Sequence, residues 1–337
     1  MKKTLFAALA LAFVASCSNE EVVEMAQKEA ISFENAFVNN STRSVNDPSY
    51  SSTTDEGKGM FEKFQVYGFV EGAALWTDGE TVTGPSTWTY TNTQYWINGA
   101  DYTFHAVAPE TGWTKTDATA EGGVSLSFTN NGESDVLYAY ATAEGKPNGQ
   151  NTPVELTFRH ILSKVKFSFK NEYNVENATI KVSDIHITNA YATGDATLNN
   201  STTSWDNQEG TLNLDFGDVT QATATQDVAD AYGVGTLESY NECLLIPSEA
   251  REYEVTFTVQ LLISNTPIAT YNHKANVSLA LVAANSYNIT AKINTSNIDP
   301  NNEQDPIKFT VTEITGWTPG TNPDEITTTE PNTTTQP

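Results

Sequence analysis

The sequence predicts an all-β chain built from antiparallel β-sandwiches. Three observations carry that prediction. Apolar residues recur at every second position in short runs, clusters of Gly, Asn, Asp and Pro separate those runs, and helical periodicity is weak. Period-two alternation buries one face of a strand and leaves the other wet, and many such runs in series favour layered sheets. With 38% hydrophobic and 10% aromatic residues, the 337-residue chain has apolar surface for two sizeable cores.

The N-terminus is an export signal. Lys2 and Lys3 precede an uncharged apolar run, Leu5 to Val14. That run is shorter than the roughly 20 residues a membrane-spanning helix needs, and it suits the apolar part of a secretory signal. It ends in Val14-Ala15-Ser16-Cys17, small residues before a cut and a cysteine directly after it. Residues 1–16 are therefore expected to be a lipoprotein signal peptide and Cys17 the lipidated residue. An ordinary secretory signal with a chance cysteine is the alternative. A single acyl chain binds membranes only marginally, but this modification adds several chains to one cysteine, so the membrane is met only through the lipid anchor. Residues 17–28, with Glu20, Glu21 and Glu24, form a polar tether.

The next segment is a short edge strand followed by a polar stretch. Ile31, Phe33 and Phe37 fall at alternate positions with a gap at Asn35, so they are the expected anchors of one buried face. Residues 39–54 are rich in Ser, Thr and Asn and contain Arg43. The other two of the three arginines, Arg159 and Arg251, lie in or beside expected strands. Exposed polar loops are where proteases cut, and position alone leaves Arg43 open as a plain surface arginine.

Strands follow at 64–70, 102–107, 124–128 and 165–169, then at 253–259 and 286–293. Asn130-Asn131-Gly132 and Pro147-Asn148-Gly149 are turn candidates, and 219–231 is the one place for a short helix. The Gly/Pro/Asn-rich segment 144–153 suggests a domain boundary. We expect an N-terminal sandwich over 29–155 and a C-terminal sandwich over 156–317. Residues 318–337 hold one large apolar residue, Ile326, and are expected to be a disordered tail. Ile307, Phe309 and Val311 alternate near the C-terminus, either as the last strand of the second sandwich or as a strand given to a neighbour.

Composition narrows the function. Lys plus Arg is 17 against 42 Asp plus Glu, a formal net charge of −25, which repels nucleic acid and anionic headgroups. The four histidines, His105, His160, His186 and His273, show no metal-ligand spacing, and His160 is expected to make a core or interface hydrogen bond. Cys243 lies in an apolar run and is expected to be a buried, inert thiol. No phosphate loop, dinucleotide fingerprint or nucleophile elbow is present, so neither a cofactor nor an enzyme activity is expected. Trp76, Trp88, Trp96 and Trp113 cluster in the first half. They allow two readings, packing around a core or an exposed platform for sugar rings.

Several segments, taken in order, resemble the fimbrillin family of Bacteroidales, the subunits of type V pili, and within it the minor-fimbrillin-like branch. They are the cysteine box, Ala30-Ile31-Ser32-Phe33, Thr42-Arg43-Ser44, Tyr95-Trp96-Ile97, Tyr102 to Pro109 and Asp135 to Ala139. Val154 to Val165, Leu244-Leu245-Ile246-Pro247 and Asn285 to Ile289 complete the set. The resemblance implies two transthyretin-like sandwiches in tandem and a precursor carried to the outer membrane and cell surface as a lipoprotein. It implies cleavage by an arginine-specific surface protease, here between Arg43 and Ser44, which removes 29–43 together with the anchor. The vacated groove then takes a strand from another pilus subunit, with Ile307, Phe309 and Val311 as the donor candidates. The competing expectation is a surface lipoprotein that binds a glycan or protein ligand without polymerising.

Overall fold

A computed structural model of the chain describes residues 28–38, 50–51, 60–84, 87–173, 178–219, 235–238, 242–298, 307–314 and 323–326. Cys17, Arg43, Ser44 and most of the helix candidate at 219–231 lie outside them. Among the described residues there are twenty-three strands and no helix. The first half forms β1 (Phe33–Val38), β2 (Tyr50–Ser51), β3 (Met60–Phe61), β4 (Lys63–Val70), β5 (Ala73–Ala74) and β6 (Glu80–Thr83). It continues with β7 (Asp101–Ala108), β8 (Trp113–Thr119), β9 (Gly123–Thr129), β10 (Leu137–Glu144) and β11 (Val154–His160). The second half begins with β12 (Ser163–Asn171), β13 (Ala178–Ala190), β14 (Thr193–Asn199), β15 (Thr202–Glu209), β16 (Leu212–Val219) and β17 (Gly235–Glu238). It ends with β18 (Cys243–Leu245), β19 (Ser248–Ile263), β20 (Thr266–Leu281), β21 (Ser286–Ile293), β22 (Phe309–Ile314) and β23 (Pro323–Ile326).

The strands form four principal sheets. A seven-stranded sheet runs β1-β11-β10-β7-β4-β5, with β6 also on β4, and a four-stranded sheet runs β15-β14-β9-β8. A six-stranded sheet runs β17-β12-β21-β22-β23, with β18 also on β12, and another four-stranded sheet runs β16-β13-β19-β20. Each four-stranded sheet covers one larger sheet. Tyr67, Phe69, Val107 and Tyr138 of the seven-stranded sheet meet Val124, Leu126, Phe128 and Leu198 of the first small sheet. Phe167, Phe169, Ile289 and Phe309 meet Ile180, Phe216, Val255 and Tyr271 in the second sandwich.

Alternation explains why the seven-stranded sheet is buried on both faces. Along β4, Tyr67 and Phe69 face the small sheet, while Phe64 and Val66 face a second cluster on the opposite side. There Trp76, Trp88, Tyr90 and Trp96, from the connection between β5 and β7, form an aromatic roof. Trp76 is buried and its indole N–H donates to the Asn92 carbonyl at 2.8 Å. Trp113 packs on the other core and donates to the Pro109 carbonyl at 2.8 Å. The four tryptophans are thus core and rim packing, which counts against an exposed sugar platform over 76–113.

Three features differ from the sequence expectation. Two strand pairs, β1 with β11 and β12 with β21, are parallel, because alternation fixes which face is buried and says nothing of strand direction. The sheets do not divide at 155/156. That point falls inside β11, and the β14–β15 hairpin of the expected second domain hydrogen-bonds along β9 of the first. Finally, β23 lies within the tail expected to be disordered. It pairs antiparallel with β22, a contact made through backbone groups that needs no large apolar side chain.

Candidate strand-exchange groove

The segment 29–38 runs as a strap along the edge of the seven-stranded sheet, with Ile31 and Phe33 in the core on its roofed face. Its backbone is held from both sides. On one side Ile31 N–H donates to the Gln94 carbonyl (2.9 Å), Trp96 N–H donates to the Glu29 carbonyl (2.9 Å), and Ala30 bridges Tyr95 antiparallel. On the other side Val154 N–H donates to the Ser32 carbonyl at 2.7 Å, and Phe33 and Glu34 pair in parallel with Val154 and Glu155. The Tyr90 hydroxyl caps the Ile31 carbonyl at 2.7 Å.

Two side chains anchor the strap. Ile31 and Phe33 are 1% and 4% exposed. The Phe33 ring meets Phe64, Tyr90 and Phe104 edge-on at 5.8–5.9 Å between centroids. Each anchor contributes about 1.5–3 kcal/mol of burial. Phe37 takes a different register position. A bulge between Glu34 and Phe37 sets Phe37 opposite exposed Thr157 and Val38 opposite buried Phe158. The bulge adds one residue to β1 between those pairs, and the Phe37 side chain lies outside the described residues.

An electrostatic clamp fixes the start of the strap. The Glu29 carboxylate accepts from Gly149 N–H at 2.7 Å and from the Asn151 side-chain amide at 2.6 Å. The Asn151 amide, joined by the Gly149 and Asn151 backbone N–H groups, holds the Glu29 carboxyl below its ordinary pKa. The sequence gives no sign of this clamp, because 29 and 149–151 are far apart along the chain.

The strand beside the strap, β11, depends on it. Register pairs between β11 and β10 are confined to Leu137 with His160 and Tyr138 with Arg159. From Val154 to Phe158, the ladder partner of β11 among the described residues is β1. The far end of β11 is fixed separately, since His160 Nδ1 bonds the Asp135 carboxylate and both residues are buried. Without the strap, the aromatic core over Phe64 and Phe104 and the edge of β11 lose their cover together. Such an edge accepts another strand by β-augmentation.

The donor candidates are elsewhere. Ile307, Phe309 and Val311 are 1%, 0% and 4% exposed in the second sandwich. Phe309 meets Phe167 and Phe257 at 6.3 and 6.0 Å, and β22 pairs with β21 and β23. Strap and donor candidates therefore sit in different cores of the same chain. Cys243 is buried, and burial pushes its thiol up to about 12.

The chain is similar, at low identity, to several solved structures. A candidate cell adhesion protein of Bacteroides ovatus is 14% identical, over 88% of this chain and all of that one, with a TM-score of 0.48. A candidate cell adhesion protein of Bacteroides eggerthii is 11% identical, over 86% and 96% of the two chains, at 0.47. The fimbrial anchor protein of Porphyromonas gingivalis is 12% identical, over 86% and 98%, at 0.38. No curated protein sequence matches the chain. Residues 50–317, well over half the sequence, match the profile of the fimbrillin-like family, and the chain belongs to that family.

Proposed function

We propose that this chain is a structural and adhesive fimbrial subunit that assembles by strand exchange through the groove now filled by its own residues 29–38. Family membership supports a pilus or adhesin role at the cell surface. The observation that carries the finer reading is the strap itself. It is a short parallel edge strand with two buried anchors, and a sequence with one arginine joins it to the rest of the chain.

In this reading the precursor reaches the outer membrane as a lipoprotein anchored at Cys17, with both sandwiches of the transthyretin-like type. An arginine-specific protease cuts between Arg43 and Ser44, and the lipidated peptide leaves with Ile31 and Phe33. A neighbouring subunit then fills the groove. Ile307, Phe309 and Val311 are the proposed donor anchors. Because they are buried in their own sandwich, donation requires β22 to leave one core as it enters another, an exchange of like for like that keeps the net cost small.

The test is to treat the purified precursor with an arginine-specific protease, read the new N-terminus, and follow assembly by size. We expect Ser44 as the first residue and ladders that resist mild denaturant. A chain cut at Ser44 that stays monomeric at high concentration rules out strand exchange. Cutting at another site rules out Arg43.

A further inference from the structure

A second site lies away from the strap, where the two sandwiches meet. Hairpin β14–β15 and the start of β19 enclose a cleft of about 620 Å³, within the size range of small-ligand sites. Trp205, Asp206 and Gln208 line it from β15, Glu249 and Arg251 from β19, and Tyr191 from the turn before β14.

Arg251 is the unusual member. Its guanidinium lies 3.9 Å from the Tyr191 ring centroid, with Tyr253 5.1 Å away on β19. One end is fixed, because Nη2–H donates to the Asn189 carbonyl at 2.9 Å. Nη1 is shielded from solvent and has no hydrogen-bond partner. No carboxylate pairs with Arg251 among the described residues, although the chain carries 42 acidic residues against 17 basic ones. A stacked guanidinium keeps its fork in place, and an N–H left without an acceptor is unfavourable. Arg251 itself lines the cleft, so its positive charge borders the cavity with no anion paired to it among the described residues.

The rest of the lining restricts what the acceptor belongs to. Trp205 is half-buried and its ring is oriented by two contacts, an indole N–H bond to the Ile161 carbonyl at 3.0 Å and an edge-on Phe128 at 6.1 Å. It offers an apolar wall of fixed orientation. The exposed Asp206 and Glu249 carboxylates accept hydrogen bonds and repel anions. Gln208 is tied to the Pro247 carbonyl at 2.7 Å. One cation, an aromatic wall and an acceptor-rich rim suit a ligand with one carboxylate, apolar C–H faces and several hydroxyl donors. A polyanion meets the acidic rim and a net charge of −25, and a neutral sugar leaves the guanidinium charge unmatched.

We infer that this cleft binds a carboxylated sugar ring, with Arg251 taking the carboxylate, Trp205 packing on the ring, and Asp206 and Glu249 accepting from its hydroxyls. The strap takes no part, so precursor and cut chain bind alike, and failure of strand exchange leaves this site standing.

The test titrates the full chain with glucuronic acid, N-acetylneuraminic acid, glucose and the methyl ester of glucuronic acid, followed by saturation-transfer NMR and calorimetry. One or both acids should bind, and glucose and the ester should bind about tenfold more weakly, the size of one charge-assisted hydrogen bond. Arg251→Gln should lose about the same factor. Val282→Trp should block the cleft, since Val282 lines it and is 52% exposed, so a larger side chain there leaves the core intact. If Arg251→Gln fails to fold, the ester and Val282→Trp decide. The inference is overturned if neither acid binds, if glucose binds as well as the acid that binds better, or if Val282→Trp binds as the parent does.

Discussion

His105 shows how a buried polar residue is fitted to this fold. It is fully buried, its Nδ1 is 2.7 Å from the Tyr138 hydroxyl, and its Nε2 is 3.2 Å from the Ala120 carbonyl. The Asn200 backbone N–H bonds the Tyr138 oxygen. The network assigns one neutral tautomer, with the tyrosine donating to Nδ1 and Nε2–H donating to Ala120. Burial lowers the His105 pKa from its ordinary 6.5. A lowered folded-state pKa gives stability that is complete above about pH 6.5 and lost as pH falls through the folded value. The stability gap between the parent and His105→Gln, measured by thermal melting, should therefore narrow on acidification, and a gap independent of pH would rule out this role. Phe33→Ala tests the strap in the same way. It should cost the precursor about 3–5 kcal/mol in denaturant unfolding, the usual range for a buried phenylalanine. Once residues 17–43 are cut away and lost, parent and variant become the same molecule and the difference must vanish. Sequence alternation put Ile31 and Phe33 on one face, and both are buried. It could not expose the bulge that moves Phe37 to another register position, because a bulge is a property of the paired backbone.

Elements with clean alternation were legible and sparse ones were not. The expected strand 286–293 coincides with β21, and 124–128 lies within β9. The β14–β15 hairpin carries little sequence signal, because few large apolar residues mark it, chiefly Leu198 and Trp205. Yet β14 pairs with β9 over six residues, from Thr193 with Thr129 to Leu198 with Val124. The first sandwich thus borrows half of its small sheet from sequence beyond residue 190. A fragment ending at 155 also cuts β11 and leaves Val124, Leu126 and Phe128 without their partners. We expect residues 29–155 alone to aggregate or lack dispersed NMR signals, whereas a chain through 317 folds. A folded 29–155 fragment would show that the hairpin is an accessory to the first sandwich.

At the scale of the whole molecule, charge and topology both bear on the assembly proposed above. A subunit with net charge −25 repels its own copies, and salt screens that repulsion over roughly 8–10 Å near physiological ionic strength. Assembly of the cut chain should accelerate as salt rises, measured by light scattering from low to moderate ionic strength. Slowing by salt would point to an interface held by opposite charges. Groove and donor candidates occupy separate sandwiches, the first under the aromatic roof and the second between β21 and β23. That separation suits a head-to-tail contact between copies, which extends a chain instead of closing a dimer.

The sequence alone determined the all-β class, the position of most strands and the family resemblance, because these follow from local alternation, turn residues and motif order. The tertiary structure decided which strands run parallel, where the first sandwich finds its second sheet, how the tryptophans are used, and that Glu29 meets Gly149 and Asn151. It also brought Trp205 and Arg251, 46 positions apart, to one cleft. The physical reason is common to all of these. Alternation records which face of a strand avoids water, whereas partner, direction and cleft are set by contacts between residues distant in sequence, which no local pattern contains.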